Sequence, residues 1–89
     1  MLFMSILTWE PSKRNEIIKR RLEIGVPKEV KVIGEWTDIS GGRSFTLTEE
    51  ADPNAMMAGV LAYSDLIKFE MVPVMKAEDV MKLAKSKFK

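Results

Sequence analysis

The first eight residues are apolar on both faces of an extended chain. Leu2, Met4 and Ile6 fall on one side, and Phe3, Ser5, Leu7 and then Trp9 on the other. Such a strand suits the middle of a sheet that is covered on both sides. The rest of the chain has to be arranged around it.

Pro11 stops the strand, and Ser12 reads as an N-cap. Over residues 13–24, Ile17, Ile18, Leu22 and Ile24 recur at helical spacing. Gly25 fits the left-handed position past a helix end, and Pro27 prevents continuation. Residues 29–38 form a second strand, with Val30, Val32, Gly34 and Trp36 alternating against Lys31, Ile33, Glu35 and Thr37. Gly34 leaves a gap in the apolar row, which marks a bulge or the close approach of another group. The turn 38–42 has two glycines to supply positive φ. In the third strand, 43–49, Phe45 and Leu47 oppose Ser44, Thr46 and Thr48. Strands two and three make a hairpin.

Asp52 caps a second helix and Pro53 takes its first position. Ala55, Met56, Gly59, Val60 and Tyr63 repeat along it. Gly59 costs about 1 kcal/mol of helix propensity, which a close approach to a strand would offset. Residues 68–75 form a fourth strand, and Pro73 assigns it to an edge. Residues 76–87 form a short final helix.

The order β-α-β-β-α-β followed by a tail helix gives an α+β domain spanning residues 1–89, with 76–89 as a C-terminal helical tail. Two interlocked right-handed β-α-β units produce one antiparallel sheet in the order 4-1-3-2, with both helices on one face. The other face is left bare, and such a face marks an interface. A chain of 89 residues builds only a thin core. The expected partner is therefore a second copy, in a homodimer through the open sheet face.

Cysteine and histidine are both absent. That excludes disulfides, thiolate metal sites, thiol catalysis and histidine-ligated haem, and it removes the commonest general base. No cofactor is expected, and no acidic spacing points to a metal. Net charge is +1, from 14 basic and 13 acidic residues, which argues against nucleic acid. Lysines and arginines crowd residues 13–21 and 76–89, where a solvated helix face competes with a surface for phosphate or membrane. The longest apolar run, residues 1–7, is broken by Ser5 and followed by Trp9-Glu10. No membrane span and no secretory leader are expected from it, and a cytoplasmic location follows.

The candidate ligand-binding residues are Trp36, Asp38, Arg43, Phe45 and Tyr63. A hairpin register symmetric about the glycine turn brings the first four together. Arg43 beside Asp38 would fix a carboxylate-bearing ligand, with Trp36 and Phe45 as an aromatic wall. The structural alternative is that Asp38 caps the turn, Arg43 pairs with it and the aromatics are core. Tyr63 would donate a hydrogen bond to an oxyanion, or simply pack its ring. Asp65 reads as a helix terminator. Trp9 and Glu10 lie at the exit of the central strand, where functional groups gather, while Glu35, Glu70, Lys31 and Lys68 on the flanking strands are explained by ion pairing at least as well as by catalysis.

Several segments carry a resemblance: the opening Met1-Leu2-Phe3-Met4, Trp36-x-Asp38, and Gly42-Arg43-x-Phe45-x-Leu47. The Asp52 helix start, Ser64-Asp65-Leu66, and Phe69-Glu70-x-Val72-Pro73-Val74 complete it. In their order and spacing, the chain up to Met75 resembles a family of small proteins of unknown function in the dimeric α/β-barrel superfamily. The tail helix is expected to lie outside that pattern. The resemblance implies a ferredoxin-like sandwich whose sheets pair face to face. It implies no reaction, although superfamily members include cofactor-free monooxygenases acting on polycyclic aromatics, haem enzymes and small-ligand sensors. The reading that follows is a homodimeric small-molecule-binding domain. An enzyme of cofactor-free oxygenase or isomerase type is the alternative, using Tyr63, Asp38 or Arg43 to polarise a substrate. RNA binding ranks third, on the faint cue of residues 42–45.

Overall fold

The computed structural model describes residues 1–25, 30–49 and 52–88. Its elements are β1 (Leu2–Thr8), α1 (Arg14–Ile24), β2 (Val32–Thr37), β3 (Arg43–Glu49), α2 (Pro53–Tyr63), β4 (Lys68–Val74) and α3 (Ala77–Lys87). The four strands form one antiparallel sheet in the order β2-β3-β1-β4. The doubly apolar β1 is therefore central, and the Pro73 strand lies at an edge, where its missing N–H is tolerated. The architecture is α+β and compatible with a ferredoxin-like sandwich.

Two local features follow the sequence closely. The Asp52 carboxylate accepts from the Asn54 N–H at 3.1 Å, with Pro53 opening α2. Gly25 ends α1 at φ +74°, a conformation that needs glycine.

Three features differ from the sequence reading, and one expected irregularity takes a definite form. Ser12 is not an N-cap: a 3-10 turn over Pro11–Lys13 precedes α1, which begins without a side-chain cap. In the hairpin turn Gly41 alone has positive φ, at +89°. There the Asp38 carboxylate accepts from the Ser40 N–H, and the Gly41 N–H bonds the Asp38 carbonyl. The other glycine, Gly42, simply continues toward β3. Gly59 approaches no strand, since a Cβ there would meet nothing within 4 Å.

The irregularity expected at Gly34 is a bulge. Val32 pairs with Thr48 but Gly34 pairs with Leu47, so β2 gains a residue between them. The extra residue turns Val32 to the face of Thr48 while Gly34 and Trp36 face the other way. Val30 and Val32 thus leave the row that simple alternation had given them. The start assigned to this strand, at residue 29, lies outside the described residues.

The register sorts the two sheet faces by chemistry. Ser5, Leu7, Ser44, Thr46, Thr48, Phe69 and Met71 share the face toward α1 and α2. Leu2, Met4, Ile6, Phe45, Leu47, Val72 and Val74 share the opposite face with Trp36, together with Thr8, Arg43, Glu49, Lys68 and Glu70. Most of the strand hydroxyls therefore look toward the helices, and the larger apolar row, mixed with charged residues, looks away from them.

Packing within the chain is slight. Ile17 and Ile67 are the buried apolar side chains among the described residues, and Ser5 and Thr48 are the buried polar ones. The surface of 6840 Å² exceeds the roughly 5,300 Å² of a compact 10.1 kDa monomer by about 1,500 Å². The radius of gyration, 15.5 Å, likewise exceeds the ~12 Å of a compact domain this size. No helix among the described residues is long and apolar enough to cross a membrane.

Candidate functional site

Two places collect the residues that the sequence singled out. The first is the open sheet face near the β2–β3 turn. Trp36 and Phe45 are directly opposed across the two strands. Arg43, two residues before Phe45 on the same face, holds its guanidinium carbon 5.5 Å from the Phe45 ring centre. Its Nε lies 3.4 Å from the Asp38 carboxylate. Asp38 is held below the ordinary carboxylate value, first by the Ser40 N–H and then by Arg43. The four residues are therefore together, and Asp38 both caps the turn and pairs with Arg43. Trp36 is 55% exposed.

Tyr63 lies behind the sheet, apart from these four. It lines a pocket of about 140 Å³ between α2 and the hydroxyl-bearing face. The wall from α2 is Ala55, Met56, Gly59, Val60 and Tyr63, the same stripe that repeats in the sequence. The sheet supplies Ser5, Leu7, Thr46, Thr48, Phe69 and Met71. Among the described residues, the Tyr63 hydroxyl is a buried side-chain oxygen with no hydrogen-bond partner. Buried hydroxyls nearly always find one.

A groove of about 400 Å³ runs beside this pocket, under α1 and toward the hairpin turn. Pocket and groove share Leu7, Arg21, Glu35 and Tyr63 as a common wall. Arg21 of α1 and Glu35 of β2 form an ion pair across it, with Nη2 to Oε1 3.0 Å. The end of the groove is fixed by Trp9, whose indole N–H donates to the Gly41 carbonyl at 2.9 Å.

Tyr63 is positioned from behind by Arg20. That guanidinium donates to both carboxylate oxygens of Asp65, at 2.6 and 3.0 Å, and to the Ala62 carbonyl at 3.0 Å. It also lies 6.0 Å from the Tyr63 ring centre. Asp65 is thereby held below the ordinary carboxylate value, chiefly by the Arg20 hydrogen bonds. It does more than end a helix, because it ties α1 to the end of α2.

Sequence reasoning saw Arg20 and Arg21 only as part of a basic run, and missed the hydroxyls of Ser5, Thr46 and Thr48. For the hydroxyls the signal was present: a serine inside an apolar strand, and two threonines on the face opposite Phe45 and Leu47. Lys31 lies 3.8 Å from Glu49, an ordinary cross-strand pair. No cluster of acidic side chains among the described residues is arranged to hold a metal ion.

No curated protein and no solved structure matches the chain. A family model described as a domain of unknown function, DUF3303, matches residues 1–88. The match runs through α3, so the tail helix is part of the family pattern rather than an addition to it. The chain belongs to the DUF3303 family.

Proposed function

We propose that this chain is a small-molecule-binding domain that works as a homodimer, with the ligand held between α2 and the sheet. The observation that carries the reading is the Tyr63 hydroxyl, buried and without a partner among the described residues, in a pocket whose other walls are mainly apolar. A few convergent polar groups in an apolar pocket are the usual make-up of a ligand site. An unpaired buried hydroxyl costs about 1–3 kcal/mol, which a ligand oxygen would recover.

The dimer is supported by the bare face. Trp36 and Val72 are exposed there beside Phe45, Leu47 and Ile6. The excess surface of about 1,500 Å² exceeds the ~800 Å² that each partner buries in a standard interface. Pairing through this face leaves the pocket free on the other side. A chain without cysteine has no need of an oxidising compartment, and the reading assigns it to the cytoplasm.

The same hydroxyl would polarise a substrate carbonyl in an enzyme of oxygenase or isomerase type. Such a step needs a base, and Glu35, the carboxylate on the pocket wall among the described residues, is occupied by Arg21. That favours binding without turnover. Native mass spectrometry of the protein purified from its source tests the reading. A dimer carrying one retained small molecule per chain is the expected result. A bare monomer, with no ligand recovered by denaturing extraction, overturns it.

A further inference from the structure

The pocket's size and wall chemistry restrict what it accepts, given the reading of it as a ligand site. We infer that the ligand is neutral, about the size of one six-membered ring, and carries one oxygen that accepts a hydrogen bond from Tyr63.

Size comes first. An apolar cavity of about 150 Å³ holds one benzene-sized molecule, and this pocket is about 140 Å³. The pocket opens to solvent, so a single six-membered ring fills it while a fused ring system would protrude. The adjoining groove does not enlarge it freely, because the Arg21–Glu35 pair stands in the wall they share.

Charge comes second. Among the described residues, the charged groups on the pocket wall are Arg21 and Glu35, and each neutralises the other at 3.0 Å. An anion or cation brought inside would find no free counter-charge among them, and burying an unpaired charge is strongly unfavourable. The polar groups that remain are hydroxyls: Ser5, Thr46, Thr48 and Tyr63. Of these the Tyr63 oxygen is the one left buried without a partner among the described residues. A phenolic hydroxyl donates well to a carbonyl or alcohol oxygen. The remaining wall, including Leu7, Met56, Val60, Phe69 and Met71, asks for hydrocarbon.

The test uses three single-ring probes of similar size: cyclohexanone, methylcyclohexane and cyclohexanecarboxylate. Binding is followed by NMR through the methyl groups of Met56, Val60 and Met71, in the wild type and in Tyr63→Phe. Both neutral rings should shift these methyls, and the carboxylate should not. The affinity ratio of cyclohexanone to methylcyclohexane should fall about threefold to tenfold in Tyr63→Phe, the worth of one hydrogen bond. An unchanged ratio, or a carboxylate that binds as tightly as the ketone, overturns the assigned ligand class while leaving a working pocket. If none of the three probes moves the methyls of the folded protein, the pocket reading falls with it.

Discussion

The ring of Trp36 occupies the space that a side chain at Gly34 would need. A Cβ there would lie 2.5 Å from Cη2 of the indole. The two residues share a face of β2, and the φ of Gly34 is not positive. The glycine is therefore explained by close approach, not by backbone freedom. Because Trp36 is 55% exposed, its ring can swing outward and the fold should survive Gly34→Ala. The displaced ring would then stand up from the face assigned to dimer contact. The expected outcome is a shifted indole N–H resonance for Trp36 and a dimer weakened about tenfold, or ~1.4 kcal/mol. An unmoved resonance and an unchanged dissociation constant would contradict this use of the glycine.

Leu47 gives a direct test of face-to-face pairing. It lies opposite Met4 on one side and Gly34 on the other, near the middle of the bare face. In an isolated subunit, Leu47→Lys can lift its ammonium into water. Buried between two sheets, the same ammonium costs several kcal/mol. Sedimentation should show the wild type at twice 10.1 kDa and the variant at 10.1 kDa, with unchanged circular dichroism. A variant that stays dimeric would place the contact elsewhere.

Much of the layout was legible in the sequence because it depends on local periodicity. The double apolar character of β1, the proline in β4 and the Asp52-Pro53 start of α2 each act over a few residues. The β2 bulge was less legible: Gly34 signalled an irregularity, but the residue added before it moved Val30 and Val32 across the sheet. The site was the least legible part. Arg20 meets Asp65 from 45 positions away, and such a pairing has no local signature. Tyr63 stood out as a residue type, but its missing partner is a property of packing. The four hairpin residues were rightly grouped, because a two-stranded register is short-range information.

The Arg20–Asp65 contact has a consequence for acid stability. Asp65 titrates below its ordinary value in the folded chain, chiefly because Arg20 bonds the ionised form. The unfolded chain titrates at about 3.9. The contribution is complete above that value and is lost as pH falls through the lower folded one. Asp38 adds in the same direction, through the Ser40 N–H first. Thermal midpoints measured from about pH 5 down to pH 2 should therefore fall, and Asp65→Asn should flatten the fall. Arg20 and Asp65 are solvent-accessible, so added salt should weaken the effect. A wild-type slope in Asp65→Asn would show that the contact does not discriminate between the charged and neutral acid.

Gly59 separates helix stability from pocket volume. It sits inside α2, where glycine costs about 1 kcal/mol against alanine, yet it lines the pocket and no heavy atom lies within 4 Å of a Cβ built there. Gly59→Ala should raise the thermal midpoint by about 4–8 °C, since it gains helix propensity without a clash. It should leave enough room for cyclohexanone to bind. Gly59→Leu also gains propensity, but it sends a branched side chain into the space a ligand needs. That variant should remain folded and stop shifting the Met56 and Met71 methyls on addition of the ketone. A leucine that still admits the probe would mean that the open space at Gly59 faces solvent, and helix propensity would then be the only quantity altered at that position.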